Sequence, residues 1–296
     1  MGLLWHSTPT ATAAVSGRSP STAPHHRPPL DQARLRTLRA AERGITRSLV
    51  ELLDACHATV ALVARAGSDL SVNTFDGEIP HYTHVGIALR RGSAWRVHHL
   101  VNTHEGPEGH LYDQPLLHFF RDDPIEYSVG VLVPSRPLQH EIARVIESPL
   151  REALHTRAYS RIAYPYSTRY QNSNQWVAEI IGAAQGGGTT RTEVQQLLAA
   201  RGLAPSAVLG IGLARQLGAR LISRNTRFDD HPVEARMSGR FEFLLESSLR
   251  RYVCSSDRVC LDRVLFAEPP QLFPGRVAPA LARPLRTPER SSVRVL

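Results

Sequence analysis

Residues 82–102 read YTHVGIALRRGSAWRVHHLVN. Val85, Ile87 and Leu89 alternate with His84, Gly86 and Ala88, the two-residue period of a strand. Arg91-Gly92-Ser93 turns the chain and AWRVHHLVN (94–102) returns, so this stretch predicts a β-hairpin and an antiparallel sheet. The register decides which histidine meets His84. With Arg91 to Ala94 as the loop, His84 faces Val101, and His99 is its diagonal neighbour on the same face. A shift of one residue puts His98 and Asn102 there instead. The apolar alternation of Trp95, Val97 and Val101 favours the shifted register, so the two cues conflict.

Working outward, TVALVAR (59–65), IEYSVGVLVP (125–134) and RFEFLLES (240–247) read as further strands. Asp31 is placed to cap a long helix carrying Leu35, Leu38, Ile45, Leu49, Leu52 and Leu53 at helical spacing. A second helix runs from Pro137 to Pro149, and another follows the polar, irregular segment 159–175 and ends at Gly186-Gly187-Gly188. Thr190 and Glu193 form a capping box for the next helix, and a further helix is expected over 205–221. Strands crowd the first half and helices the second, an order that argues for an α+β fold rather than a doubly wound sheet. Residues 1–29, rich in Ser, Thr, Ala and Pro, read as disordered. Residues 30–267 read as one domain, and 268–296 as a disordered Pro/Arg-rich tail.

The chain has 296 residues and is 42% apolar, enough for an ordinary core. All 35 basic residues are arginine, a skew resembling GC-rich codon usage, which weakens inference from the net charge of +8. The arginines are scattered with no aromatic-studded basic stripe, which argues against nucleic-acid binding. No apolar run reaches the length of a transmembrane helix. The N-terminus MGLLWHSTPTATAAVSG lacks a basic region and does not read as a signal peptide. Three cysteines are too few for a disulfide framework. Cys254 and Cys260 either pair locally or stay free, and Cys56 reads as a small core residue in a helix.

The chemistry centres on YQNSNQWVAEII (170–181). Asn172 and Gln175 stand three apart, a variant of the capping box. With Asn172 as the cap, Ser173 is the first helical residue, in the positive end of the helix dipole and beside unpaired N–H groups that suit an oxyanion. The plainer reading is a polar helix start with no chemistry. A nucleophilic serine needs a base, and His84 is the leading candidate, with Gly86 beside it leaving room for close approach. Arg169 is placed either to hold an acidic substrate group or to pair with a nearby acid.

Seven histidines fall between 81 and 118. Adjacent pairs on strands point to opposite faces, so convergent zinc ligation is not expected, His104, Glu105 and His110 being the loop alternatives. Phe228-Asp229-Asp230-His231-Pro232 either orients a base, holds a cation or makes a turn. Gly210-x-Gly212 lacks the third glycine and a preceding strand, so no dinucleotide site, and no cofactor, is expected.

YTHVGIALR with its return strand resembles the histidine-bearing hairpin of permuted papain-like enzymes, which include envelope amidases of the NlpC/P60 type and lipid acyltransferases. N-S-N-Q-W-V (172–177) matches the later motif that carries their nucleophile, with Ser173 where the cysteine stands. A longer resemblance covers about residues 30–250, through VALVARAGSDLS, YTHVGIALR, VHHLVN, LYDQPLLHFFRDDP, AYPYSTRYQNSNQWV and FDDHP. It is to a bacterial domain-of-unknown-function family, numbered 2145. These resemblances imply a permuted papain-like α+β domain, His99 as the match to the second-strand histidine, and export to the cell envelope. The expected activity is hydrolysis or acyl transfer on an amide or ester. Ser173 is then nucleophile, His84 base and His99 its orienter, with Arg169, Asn172 and Asn174 on the substrate. The alternatives are a binding protein that has lost its nucleophile and holds a peptide or glycan fragment, and a metal-binding envelope protein.

Overall fold

Ile87 stands opposite His98 and Arg91 opposite Ala94, so the hairpin takes the first of the two registers. The computed structural model describes residues 32–66, 80–102, 106–120, 128–257 and 261–266. Helix α1 (Gln32–Ala55) leads into β1 (Val60–Arg65), the hairpin β2 (His84–Arg91) and β3 (Ala94–Val101), then β4 (His110–Pro115) and the single turn α2 (Leu116–Phe119). β5 (Ser128–Val133), α3 (Arg136–Glu147) and the turn α4 (Leu150–Ala153) precede the irregular segment that ends at α5 (Ser173–Ala184). α6 (Arg191–Ala200), β6 (Ser206–Val208), α7 (Leu213–Ile222), α8 (Val233–Ser238), β7 (Phe241–Phe243), α9 (Glu246–Ser256) and β8 (Leu261–Phe266) complete the order.

Six strands form one antiparallel sheet in the order β4-β3-β2-β1-β5-β8. Both its faces are covered. Val60, Leu62, Val85, Ile87, Leu89, Leu100 and Leu132 pack against α3, α5 and α9 through Ile142, Trp176, Val177, Ile180 and Leu249. The alternate residues Ala61, Val63, Ala88, Trp95, Val97, Val129 and Val131 pack against Ile45, Leu49 and Leu53 of α1 and against Phe119 and Phe120. With two cores, apolar alternation on β3 does not select a register, because either face rewards an apolar side chain. The backbone turn at Gly92 (φ 59°) decides it instead.

Several expectations are corrected. Residues 205–221 are not one helix: β6 comes first, Gly210 takes a left-handed φ of 78°, and α7 begins at Leu213. The expected late strand is short, and it pairs with β6 in a separate two-stranded sheet. β4, α9 and β8 were not anticipated; β4 is half polar because it is an edge strand. Cys56 lies just beyond the end of α1, half-buried against the second core, and Cys254 is a free thiol. Asp31, Cys260 and the segments 1–29 and 268–296 lie outside the described residues.

Candidate functional site

The start of α5 is as the spacing required. Asn172 is the N-cap, and its Oδ1 accepts the Gln175 backbone N–H at 2.7 Å, making Ser173 the first helical residue. Only half of a capping box forms. The Gln175 amide donates to the carbonyls of Tyr164, Pro165 and Ser167, pinning the preceding segment instead of returning to the cap. Asn172 Nδ2 donates to the Arg161 carbonyl. Asn174 reaches the sheet: its Oδ1 accepts from Val85 N at 3.1 Å, and its Nδ2 donates to the carbonyls of Thr83 and Leu244. The side chains of Asn172 and Asn174 are therefore bonded to the backbone of their own chain.

Ser173 is 7% exposed. Burial raises the pKa of the neighbouring Tyr159 phenol, an effect that Arg161 and Ser173 partly offset. A phenol that stays protonated across the physiological range is a poor base for a serine hydroxyl.

His84 Nε2 and His99 Nδ1 are 2.8 Å apart. His99 is thus the diagonal same-face partner that the register required. The pair sits against Phe119, with ring centroids 5.8 Å from His84 and 5.3 Å from His99. Arg65 is cross-strand partner to His84, and its guanidinium lies over the same ring. Burial, then Arg65, then the neighbouring histidine hold the pKa of each well below the usual value, His99 to about 3. Both rings are therefore neutral at pH 7. His99 Nε2 is buried without a hydrogen-bond partner. The cheaper tautomer leaves a lone pair there rather than an N–H, so His99 Nδ1–H donates to His84 Nε2.

This places the pair relative to Ser173. His84 and His99 share the sheet face of Val97 and Phe119, whereas α5 packs on the face of Ile87 and Leu100. Among the described residues no hydrogen bond joins Ser173 to either histidine. The room beside Gly86 is filled by Val97 and Phe119. By strand alternation His98 is the histidine on the α5 face. It is 2% exposed with neither ring nitrogen bonded, and burial, against the pull of Asp113, lowers its pKa to about 4.

One cluster escaped the sequence reading. Glu179, fully buried in α5, makes a two-point ion pair with Arg191 at 2.8 and 3.0 Å and accepts from Gln171 and Gln195. Arg191 also donates to the carbonyls of Thr168 and Tyr170, so the cluster holds the irregular segment onto α5. The signal was a lone carboxylate in the apolar run WVAEII. The FDDHP stretch serves the same segment. Asp230 accepts from Tyr164 N at 2.8 Å, and His231 Nε2 bonds the Ile162 carbonyl at 2.7 Å. Burial pushes the Asp230 pKa up to about 6. Arg169 pairs with Asp229 at 2.8 Å and lies over the Tyr170 ring, the pairing alternative of the two considered for it. Beside this segment lies an open recess of 330 Å³, lined by Tyr164, His231, Glu234, Arg240 and Glu242 among others. Of the alternative metal ligands, His104 and Glu105 lie outside the described residues; His110 stands 3.8 Å from Glu108. Among the described residues no cluster of three or more metal-type side chains forms.

These features define a mixed α+β protein: an antiparallel sheet covered on both faces, a buried polar helix start on one and a neutral histidine pair on the other. The chain belongs to the family described as "Uncharacterized protein conserved in bacteria (DUF2145)", whose model matches residues 52–253. That span runs from the end of α1 to α9, so it takes in the hairpin, α5 and the FDDHP stretch. No curated protein and no solved structure matches the chain.

Proposed function

We propose that this protein is a binding member of its family. Ser173 performs no chemistry, and a peptide or glycan fragment is held beside Tyr164. The observation that supports this is that, among the described residues, no hydrogen bond joins Ser173 to His84, whose Nε2 is taken by His99. A serine without a base is a weak nucleophile. The scaffold is read as permuted papain-like, because a histidine-bearing hairpin precedes the helix opened by Asn172-Ser173 in the chain.

The recess supports the ligand class. Its 330 Å³ lies at the lower end of small-ligand sites. An aromatic ring at Tyr164, a carboxylate at Glu234 and the Arg240–Glu242 ion pair at 3.2 Å suit a small polar ligand with a flat or apolar side. Arg169 stands on the same segment, with its guanidinium paired to Asp229.

A serine hydrolase or acyl transferase is the competing reading. It is favoured by Ser173 at the first helical position, where the helix presents N–H groups. Calorimetric titration with a panel of short peptides and oligosaccharides separates the two. Saturable binding without turnover, weakened about tenfold or more by Tyr164→Ala or Arg240→Ala, supports the binding reading. Turnover of a bound ester or amide that disappears in Ser173→Ala overturns it.

A further inference from the structure

Six of the seven large hydrophobic residues that stand exposed among the described residues fall between 209 and 237: Leu209, Leu213, Leu217, Leu221, Val233 and Met237. Three recur at i, i+4 and i+8 on α7. Leu213, Leu217 and Leu221 are 53%, 62% and 89% exposed, so they project from the surface rather than line a recess. The opposite side of α7 is the one that packs. Gln216 is buried and donates to the carbonyls of Ile211 and Arg236, and Ala219 lies against the small core of Phe228, Phe241 and Phe243. The helix therefore docks through a polar contact and an alanine while presenting a leucine stripe to its surroundings. That inverts the usual arrangement of a surface helix.

Charge selects the occupant. Residues 209–228 hold Arg215, Arg220, Arg224 and Arg227 and no acid. Of the next acids, Asp229 pairs with Arg169 and Asp230 with the Tyr164 amide, which leaves Glu234 on α8 as the exposed acid up to Met237. Leucines flanked by arginines match the boundary of an anionic bilayer, where acyl chains take the leucines and headgroups the guanidiniums. A second copy of the chain fits less well, since a two-fold contact sets this arginine-rich patch against itself. Among the described residues no helix is long and apolar enough to cross a membrane.

We propose that the leucine stripe of α7 seats the protein on an anionic lipid surface. The test is co-flotation of the full chain with vesicles of phosphatidylethanolamine and phosphatidylglycerol, and with vesicles of phosphatidylcholine alone. The chain is expected to float with the anionic vesicles, to be released by high salt, and to stay behind with the neutral ones. Leu217→Ser/Leu221→Ser, checked for an unchanged circular dichroism spectrum, is expected to weaken flotation about tenfold or more. Each of Arg215→Gln and Arg224→Gln is expected to weaken it about fivefold. Three results overturn the proposal: no flotation with anionic vesicles; flotation that the leucine variant leaves intact, which assigns attachment to another part of the chain; or a lipid-free dimer that the leucine variant dissociates, which assigns the stripe to a second copy.

Discussion

Asn174 accepts the backbone N–H of Val85 through its side-chain oxygen, joining the first turn of α5 to the start of strand β2 across 89 residues of sequence. Its amide nitrogen spends its donors on two further carbonyls, those of Thr83 and Leu244. One side chain thus fixes helix, sheet and the approach to α9 together. Asn174→Ala leaves a buried N–H and two carbonyls without their partner, each such loss costing about 1–3 kcal/mol less any relaxation. Chemical denaturation is expected to show a loss of about 3–4 kcal/mol for Asn174→Ala. Ser173→Ala, beside it, is expected to lose about 1 kcal/mol.

The Glu179–Arg191 pair is buried at both ends. Removing one member strands the other without solvent, a loss of about 3–5 kcal/mol. Arg191→Met is expected to destabilise by that amount. It should also raise the protease sensitivity around Ser167, Thr168 and Tyr170, whose carbonyls Arg191 holds. Glu179→Met/Arg191→Met is expected to be less damaging than the sum of its single variants, because the stranded charge is gone. A double-mutant cycle by urea denaturation checks both statements.

Stability should fall in mild acid. His84, His98 and His99 all have folded pKa values depressed below 6.5, His98 to about 4 and His99 to about 3. A depressed histidine binds fewer protons folded than unfolded. Its contribution is therefore whole above pH 6.5 and is lost as pH falls toward the folded pKa. Each pH unit below 6.5 removes about 1.4 kcal/mol per histidine that stays neutral. Asp230, raised from 3.8 to about 6, acts oppositely: its folded carboxyl holds the extra proton, so it favours the folded state below pH 6. Burial also raises Glu179, which acts with Asp230, and lowers His155 and His231, which act with the three; five histidines against two acids leave the net slope positive. Melting temperature is expected to drop between pH 6.5 and 4.5, and His99→Phe should flatten that drop.

Gly86 admits no side chain. A Cβ there would lie 2.4 Å from Val97 Cγ1 and 3.1 Å from Phe119. Gly86→Ala is expected to cost about 1–3 kcal/mol through overpacking, despite the better strand propensity of alanine. Thermal melting checks this.

Much of the architecture was legible. The hairpin, β1, β5, α3 and the capped start of α5 followed from period, turn and cap signals, because each is a local rule. The register was undecided for a physical reason: β3 is buried on both faces, and alternation informs only where one face is wet. The same fact hid the site geometry. Strand parity showed that His84 and His99 could meet, and they do. Which sheet face α5 would cover is a tertiary matter that no spacing within 170–181 records. Glu179 took its partner from outside the motif, Arg191 in α6, so the pair had no local signature. The helix expected over 205–221 failed at Gly210, where a left-handed residue ends the short β6 and separates it from α7.

The most direct test of the central reading is the reactivity of Ser173. Purified protein is incubated with a serine-directed fluorophosphonate near neutral pH and the tryptic peptides are weighed. The expected result is an unmodified peptide containing Ser173, equally in the native chain and in His84→Ala. A stoichiometric adduct on Ser173 that vanishes in His84→Ala would contradict it, because it would require a histidine whose Nε2 is bonded to His99 to serve as the base of Ser173.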